Sequence, residues 1–203
     1  MNKFNGMISL ILLAFLIQCK PSIPPAVNAA LAGKVLRSYT QGIISTRAAL
    51  RFVFIEDVAT ESDLGKALPE KLILIKPSVP GKLYWEAKNT LVFKPEGRFE
   101  SGTQYDIQVD LKSINPMGGQ EFPTLSYQIN TRENNFSVAR PTLIVNPSEV
   151  NLYDLTGEVQ LADFMETADV EKLLTAEINN QALTIRWQHQ PENLTSLYTI
   201  KNI

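Results

Sequence analysis

Cysteine and histidine are nearly absent from this sequence. With one cysteine, Cys19, no disulfide closes within the chain and no multi-cysteine zinc site forms. The one histidine, His189, has no cysteine, serine or carboxylate at a spacing usable for catalysis. It reads as a surface-loop residue in Gln-His-Gln-Pro. Basic runs are missing too: 19 Lys and Arg stand against 21 Asp and Glu, for a net charge of -2. Phosphate neutralisation needs clustered cations, so no nucleic-acid partner is expected. There is no Gly-rich phosphate loop, metal-ligand cluster or nucleophile elbow, and no catalytic, metal or cofactor-binding residue is assigned. Glu56, Asp57, Glu61 and Asp63 lack the EF-hand spacing and its glycine, and read as a solvated loop. The remainder, 44% hydrophobic and 20% charged, is the composition of an ordinary folded chain.

The clearest pattern runs from Leu83 to Leu111. Tyr105, Ile107, Val109 and Leu111 alternate with Asp106, Gln108 and Asp110, the period-2 signature of a strand with one face in a core. Leu83 to Trp85 and Leu91 to Phe93, separated by a short polar spacer, predict a hairpin. Gly102-Thr-Gln-Tyr105 predicts a tyrosine corner, the ring folding back to bond the preceding loop. Further strands are expected at Lys34 to Tyr39, at Leu50 to Ile55 (buried on both sides), at Lys71 to Lys76 and at Leu125 to Ile129, with Gly42 to Ala48 as a turn. Seven strands between Lys34 and Thr131 fit an Ig-type sandwich.

After the polar linker Arg132 to Asn135, strands restart at Phe136 to Val145 and Glu158 to Leu161. Asn179-Asn180 reads as a two-residue hairpin turn, with closing strands at Ala182 to Gln188 and Leu197 to Ile203, and a short helix is one reading of Asp163 to Leu174. The fold class is therefore all-β, two tandem antiparallel sandwiches over residues 34–132 and 136–203, the second incomplete. Trp85 and Trp187 sit on apolar strand faces and read as core. Asn135-Phe-Ser137 and Asn193-Leu-Thr195 match the glycosylation sequon, a pattern frequent by chance.

The N-terminal part has a different character. Lys3 followed by the apolar run Met7 to Ile17 has the form of an export signal, too short to span a bilayer, which needs roughly 20 residues. Leu16-Ile17-Gln18-Cys19 resembles a bacterial lipobox, except that Gln18 replaces the usual small residue. Residues 1–18 are then a lipoprotein signal peptide, Cys19 the lipidation site, and 19–33, with Pro21, Pro24 and Pro25, a flexible tether. The alternative is cleavage near Ala29 and Ala30, with Cys19 discarded. Expected localisation is the cell or outer membrane, facing the periplasm or cell surface.

Ile75-Lys-Pro-Ser-Val-Pro-Gly-Lys82, Tyr84-Trp85, Asn89-Thr-Leu-Val-Phe-Lys-Pro95 and Ser101-Gly-Thr-Gln-Tyr105 together resemble the N-terminal Ig-like domain of bacterial alpha-2-macroglobulins. Thr156 to Asp163, Val170 to Leu174 and Leu183 to His189 resemble the macroglobulin-like domain that follows in that family. The resemblance implies the anchor and scaffold of a protease-trapping inhibitor, not an enzyme. Its implied partners are proteases and proteins of cell-wall synthesis, and the lipobox-like segment adds a membrane through Cys19. A thioester from Cys-x-Glu-Gln is not assignable, because Cys19 lies in the leader. The rival reading is an exported Ig-like lipoprotein that binds a glycan or a protein through its loops.

Overall fold

A computed structural model describes residues 32–115, 124–146, 149 and 151–203. The signal segment, most of the tether and Cys19 lie outside the described residues. The chain is all-β, built mainly from antiparallel sheets.

In the first sandwich, β1 (Leu36–Tyr39), β3 (Leu50–Phe54), β6 (Thr90–Pro95) and β5 (Gly81–Ala87) form one sheet in the order β1-β3-β6-β5. The facing sheet is β2 (Gly42–Ile44), β8 (Leu125–Thr131), β7 (Gln104–Val109) and β4 (Ile73–Lys76), in the order β2-β8-β7-β4. Register follows the apolar alternation. Tyr105 stands opposite Ile129, Ile107 opposite Tyr127 and Val109 opposite Leu125, and all six are buried. On the outer face of the same pair, Gln104 Nε2 donates to Gln128 Oε1 at 2.6 Å and Gln128 Nε2 to Asp106 Oδ1 at 2.7 Å. A one-residue slip would bury that polar ladder, so the two faces together fix the register.

Three features differ from the sequence expectations. Gly42 to Ile44, expected to be part of a turn, is a strand that pairs in parallel with β8. Gly42 at φ 79° supplies the left-handed turn out of β1. β3 buries one face only: Leu50, Phe52 and Phe54 are inside while Arg51 is exposed. Its bonds to β1 and β6 run within the sheet and leave its outer face to water. The Leu83 hairpin is tighter than expected, because β5 continues to Ala87 and leaves Lys88-Asn89 as its turn.

The tyrosine corner is present: the Glu100 backbone N–H donates to Tyr105 Oη at 2.8 Å. Trp85, 5% exposed, packs against Phe54 with ring centres 5.4 Å apart, which places it in the core.

The second unit is a sheet of β10 (Thr142–Val145), β11 (Tyr153–Leu161), β15 (Thr195–Ile200) and β14 (Ile185–Gln190), with β9 (Phe136–Val138) also paired to β11. β12 (Glu177–Ile178) and β13 (Gln181–Ala182) form a hairpin. Asn179 and Asn180 at φ 49° and 63° make its turn of the primed type, whose twist matches the strands. A helical turn, Thr167–Val170, lies in the segment read as a short helix. The buried cluster here is small, Val159, Leu161, Val170 and Tyr198, with Met165, Leu173, Leu174, Ile185, Trp187 and Leu194 partly buried around it. Trp187 is thus half-buried, at the edge of this core.

Two substitutions test the first core. Trp85→Ala is expected to cost about 3–5 kcal/mol in denaturant unfolding, the usual effect of deleting a buried large aromatic. Tyr105→Phe keeps the ring but strands the Glu100 N–H, and a loss of about 1–2 kcal/mol is expected from the same measurement.

Candidate functional site

Polar side chains converge where the two cores meet. β11 ends at Leu161, and two residues later the chain delivers Asp163, 4% exposed. Its carboxylate receives the Ser45 hydroxyl at 2.6 Å and the Thr46 backbone N–H at 2.6 Å, both from the loop after β2. The Phe164 N–H adds a third bond at 2.9 Å. Burial pushes the Asp163 pKa up, but the bonds from Ser45, Thr46 and Phe164 outweigh it and hold the group below the ordinary carboxylate value. Three donated hydrogen bonds thus favour its carboxylate form.

Around this contact, the Arg47 guanidinium lies over the Phe164 ring, 2.9 Å from its centre. Arg98 Nη1 approaches Glu166 Oε1 at 3.7 Å. Arg132 Nη1 reaches the Ala162 carbonyl at 3.4 Å.

The connecting residues are tied down as well. The Arg132 N–H donates to the Ile44 carbonyl at 2.9 Å and its own carbonyl accepts from Gly102 N–H at 3.1 Å. The Asn134 N–H donates to Ser101 Oγ at 2.6 Å, and Ala162 N–H to the Asn135 carbonyl at 2.9 Å. These bonds hold a segment of polar composition against both units.

Beside the contact is a cavity of about 260 Å³. Leu161, Met165, Val170 and Leu194 line it, with Arg47 at one side and His189 and Ser196 at another. His189 corrects the surface-loop reading, since it belongs to β14 and its side chain is 18% exposed. Nδ1 lies 2.9 Å from Ser196 Oγ and Nε2 3.1 Å from Glu171 Oε1. The ring stacks on Trp187 at 5.9 Å between centroids and 7° between planes. In the neutral tautomer whose Nε2–H faces the Glu171 carboxylate, Nδ1 accepts from the Ser196 hydroxyl.

A serine, an imidazole and a carboxylate in sequence have the wiring of a nucleophile and its base. Ser196, however, is the second residue of β15, paired on one side to β11 and on the other to β14. The strand's N–H groups are committed to the ladders, so none converges on Oγ as an oxyanion donor. The chain of bonds orients the ring and joins the helical segment to the sheet.

None of these groups was singled out from the sequence as a set. Asp163 and Ser45 are 118 residues apart, and no local pattern links them. For His189 a signal existed, because Leu183, Ile185, Trp187 and His189 continue one alternation. Of the other sequence candidates, Asp63 takes the Thr60 N–H at 2.9 Å in a local turn, and Glu61 pairs with Lys88 of the β5–β6 turn at 2.9 Å. Cys19, the lipidation candidate, is outside the described residues.

No family model matches the sequence, and no curated protein matches it. Among solved structures, an L,D-transpeptidase from Mycobacterium tuberculosis is 12% identical over 79% of this chain and 61% of its own, with a TM-score of 0.35. A second L,D-transpeptidase, in complex with imipenem, is 13% identical over 77% and 55%, TM-score 0.35. One from Mycobacterium smegmatis is 11% identical over 77% and 53%, TM-score 0.33. The chain thus spans 53 to 61% of those chains. At such similarity no residue here takes a role from them. They are nevertheless enzymes and not protease inhibitors. The expectations of an alpha-2-macroglobulin-like protease trap and of a non-enzyme are corrected on that finding, and the rival reading as a glycan- or protein-binding module gains nothing from it.

Proposed function

We propose that residues 32–203 act as a stiff arm in an exported envelope protein, holding the second sandwich at a set distance and orientation from the membrane. The observation that supports this most is the Asp163 carboxylate, which is buried and bonded to Ser45 and Thr46 across the contact. A flexible pair of modules has no use for a buried, fully bonded charge between them, because each uncompensated donor or acceptor there costs about 1–3 kcal/mol. The tied connecting segment acts in the same direction.

At the membrane end the reading uses the export signal, Cys19 and the proline-rich tether. Acyl chains on Cys19 would contribute about 0.8 kcal/mol per buried CH₂ and hold the arm at a bilayer surface. No helix among the described residues is long and apolar enough to cross a membrane. The domain division at 34–132 and 136–203 belongs to the same proposal, as do a location at the envelope and a partner in cell-wall synthesis. It keeps the modular resemblance noted in the sequence and leaves protease trapping out.

Asp163→Ala tests it. Spin labels at Lys66 and Glu177, with Cys19 replaced by serine, should give a narrow distance distribution in the parent and a broad or shifted one in the variant. Equal widths in both would overturn the arm. The pH dependence has a defined sign: a depressed carboxylate stabilises the contact fully above the unfolded value, 3.8, and the stabilisation is lost as pH falls through the lower folded pKa. The narrow distribution should therefore persist from neutral pH to about 4 and broaden below it, and Asp163→Asn should remove that pH dependence.

A further inference from the structure

The cavity beside the junction is not needed for the arm to be stiff, and its chemistry is specific. Its walls are aliphatic at Leu161, Met165, Val170 and Leu194, and Phe164 closes one side. At about 260 Å³ it is smaller than the clefts that hold drug-sized ligands. A short, compact ligand fits such a space.

The charges around it select the ligand's sign. Glu166 faces Arg98, Glu171 is held by His189, and Asp163 has its oxygens occupied by Ser45, Thr46 and Phe164. Arg47 is different: among the described residues its guanidinium has no carboxylate and no side-chain hydrogen-bond partner, only the Phe164 face. Stacking on a ring leaves the in-plane N–H fork of an arginine open, and that fork matches a carboxylate in two-point geometry. Of the other polar lining residues, His189 and Ser196 bond to each other, the Thr195 hydroxyl donates to Gln160 Oε1, Glu166 faces Arg98, and Thr167 is exposed, so the interior offers apolar contact and Arg47 offers the unpaired charge.

We propose that this cavity binds a small aliphatic carboxylate, its acid group on Arg47 and its alkyl group among Leu161, Met165, Val170 and Leu194. Arg47 comes from the first sandwich and the alkyl pocket from the second, so the site is complete only while the two are in contact. A free branched-chain acid and the carboxyl end of a peptide terminating in an apolar residue present the same chemistry.

The test uses the intact chain, titrated with 4-methylpentanoate, N-acetyl-leucine and 4-methylpentanamide and followed by amide NMR shifts. Saturable shifts at Val170, His189 and Ser196 are expected for at least one acid, with a Kd below about 10 mM, and the tighter acid identifies the source. The amide should bind at least tenfold more weakly, as should the acid to Arg47→Met, an exposed substitution that leaves both cores intact. Thr167→Trp, which adds bulk at the cavity lining, should abolish the shifts while the melting temperature stays unchanged. Equal binding of acid and amide, full affinity in Arg47→Met, or no saturable shift would overturn the proposal. The site rests on the contact between the two sandwiches, so a narrow distance distribution in the parent with no saturable shift overturns the site alone, whereas equal widths in the parent and Asp163→Ala overturn the arm.

Discussion

One carboxylate sets the relation between the two halves of this protein. Asp163 is buried and charged, a state that is stable only while Ser45, Thr46 and Phe164 keep their hydrogen bonds to it. Two of those partners belong to the other sandwich. Pulling the halves apart leaves donors and acceptor to recover their bonds from water, and letting them slide strands the charge at a dry surface. Both displacements are opposed, which makes this contact more directional than an apolar one of the same area.

The rest of the junction follows from where Asp163 stands. It stands two residues beyond the end of β11, so Phe164 is carried under Arg47 and Glu166 toward Arg98. The exposed Arg98 pair adds little by itself, about 0–1 kcal/mol. The cavity lies against the same segment, and one of its sides exists only because the first sandwich contributes Arg47.

Much of the first sandwich was legible because its information is local. The alternation from Tyr105 to Val109 announces a strand, and the glycine before Tyr105 announces the corner whose hydroxyl takes the Glu100 N–H. Asn179-Asn180 announces a primed turn. β2 was not legible, since three residues pairing in parallel with β8 leave no periodicity of their own. The junction was illegible for a related reason. Asp163 after an alternating strand and Ser45-Thr46 in a polar loop are each ordinary, and only the folded chain places them 2.6 Å apart. His189 shows the intermediate case: the strand pattern continued through it, but the neighbouring Gln and Pro suggested a loop, and its partners Glu171 and Ser196 came from separate elements.

If the contact at Asp163 is rigid, the two sandwiches move as one body. Backbone ¹⁵N relaxation on the intact chain measures this directly, because each unit reports its own rotational diffusion. One diffusion tensor is expected to fit the amides of β3, β6 and β7 together with those of β11, β14 and β15. Two separate tensors, each with the faster tumbling of a single sandwich, would contradict it.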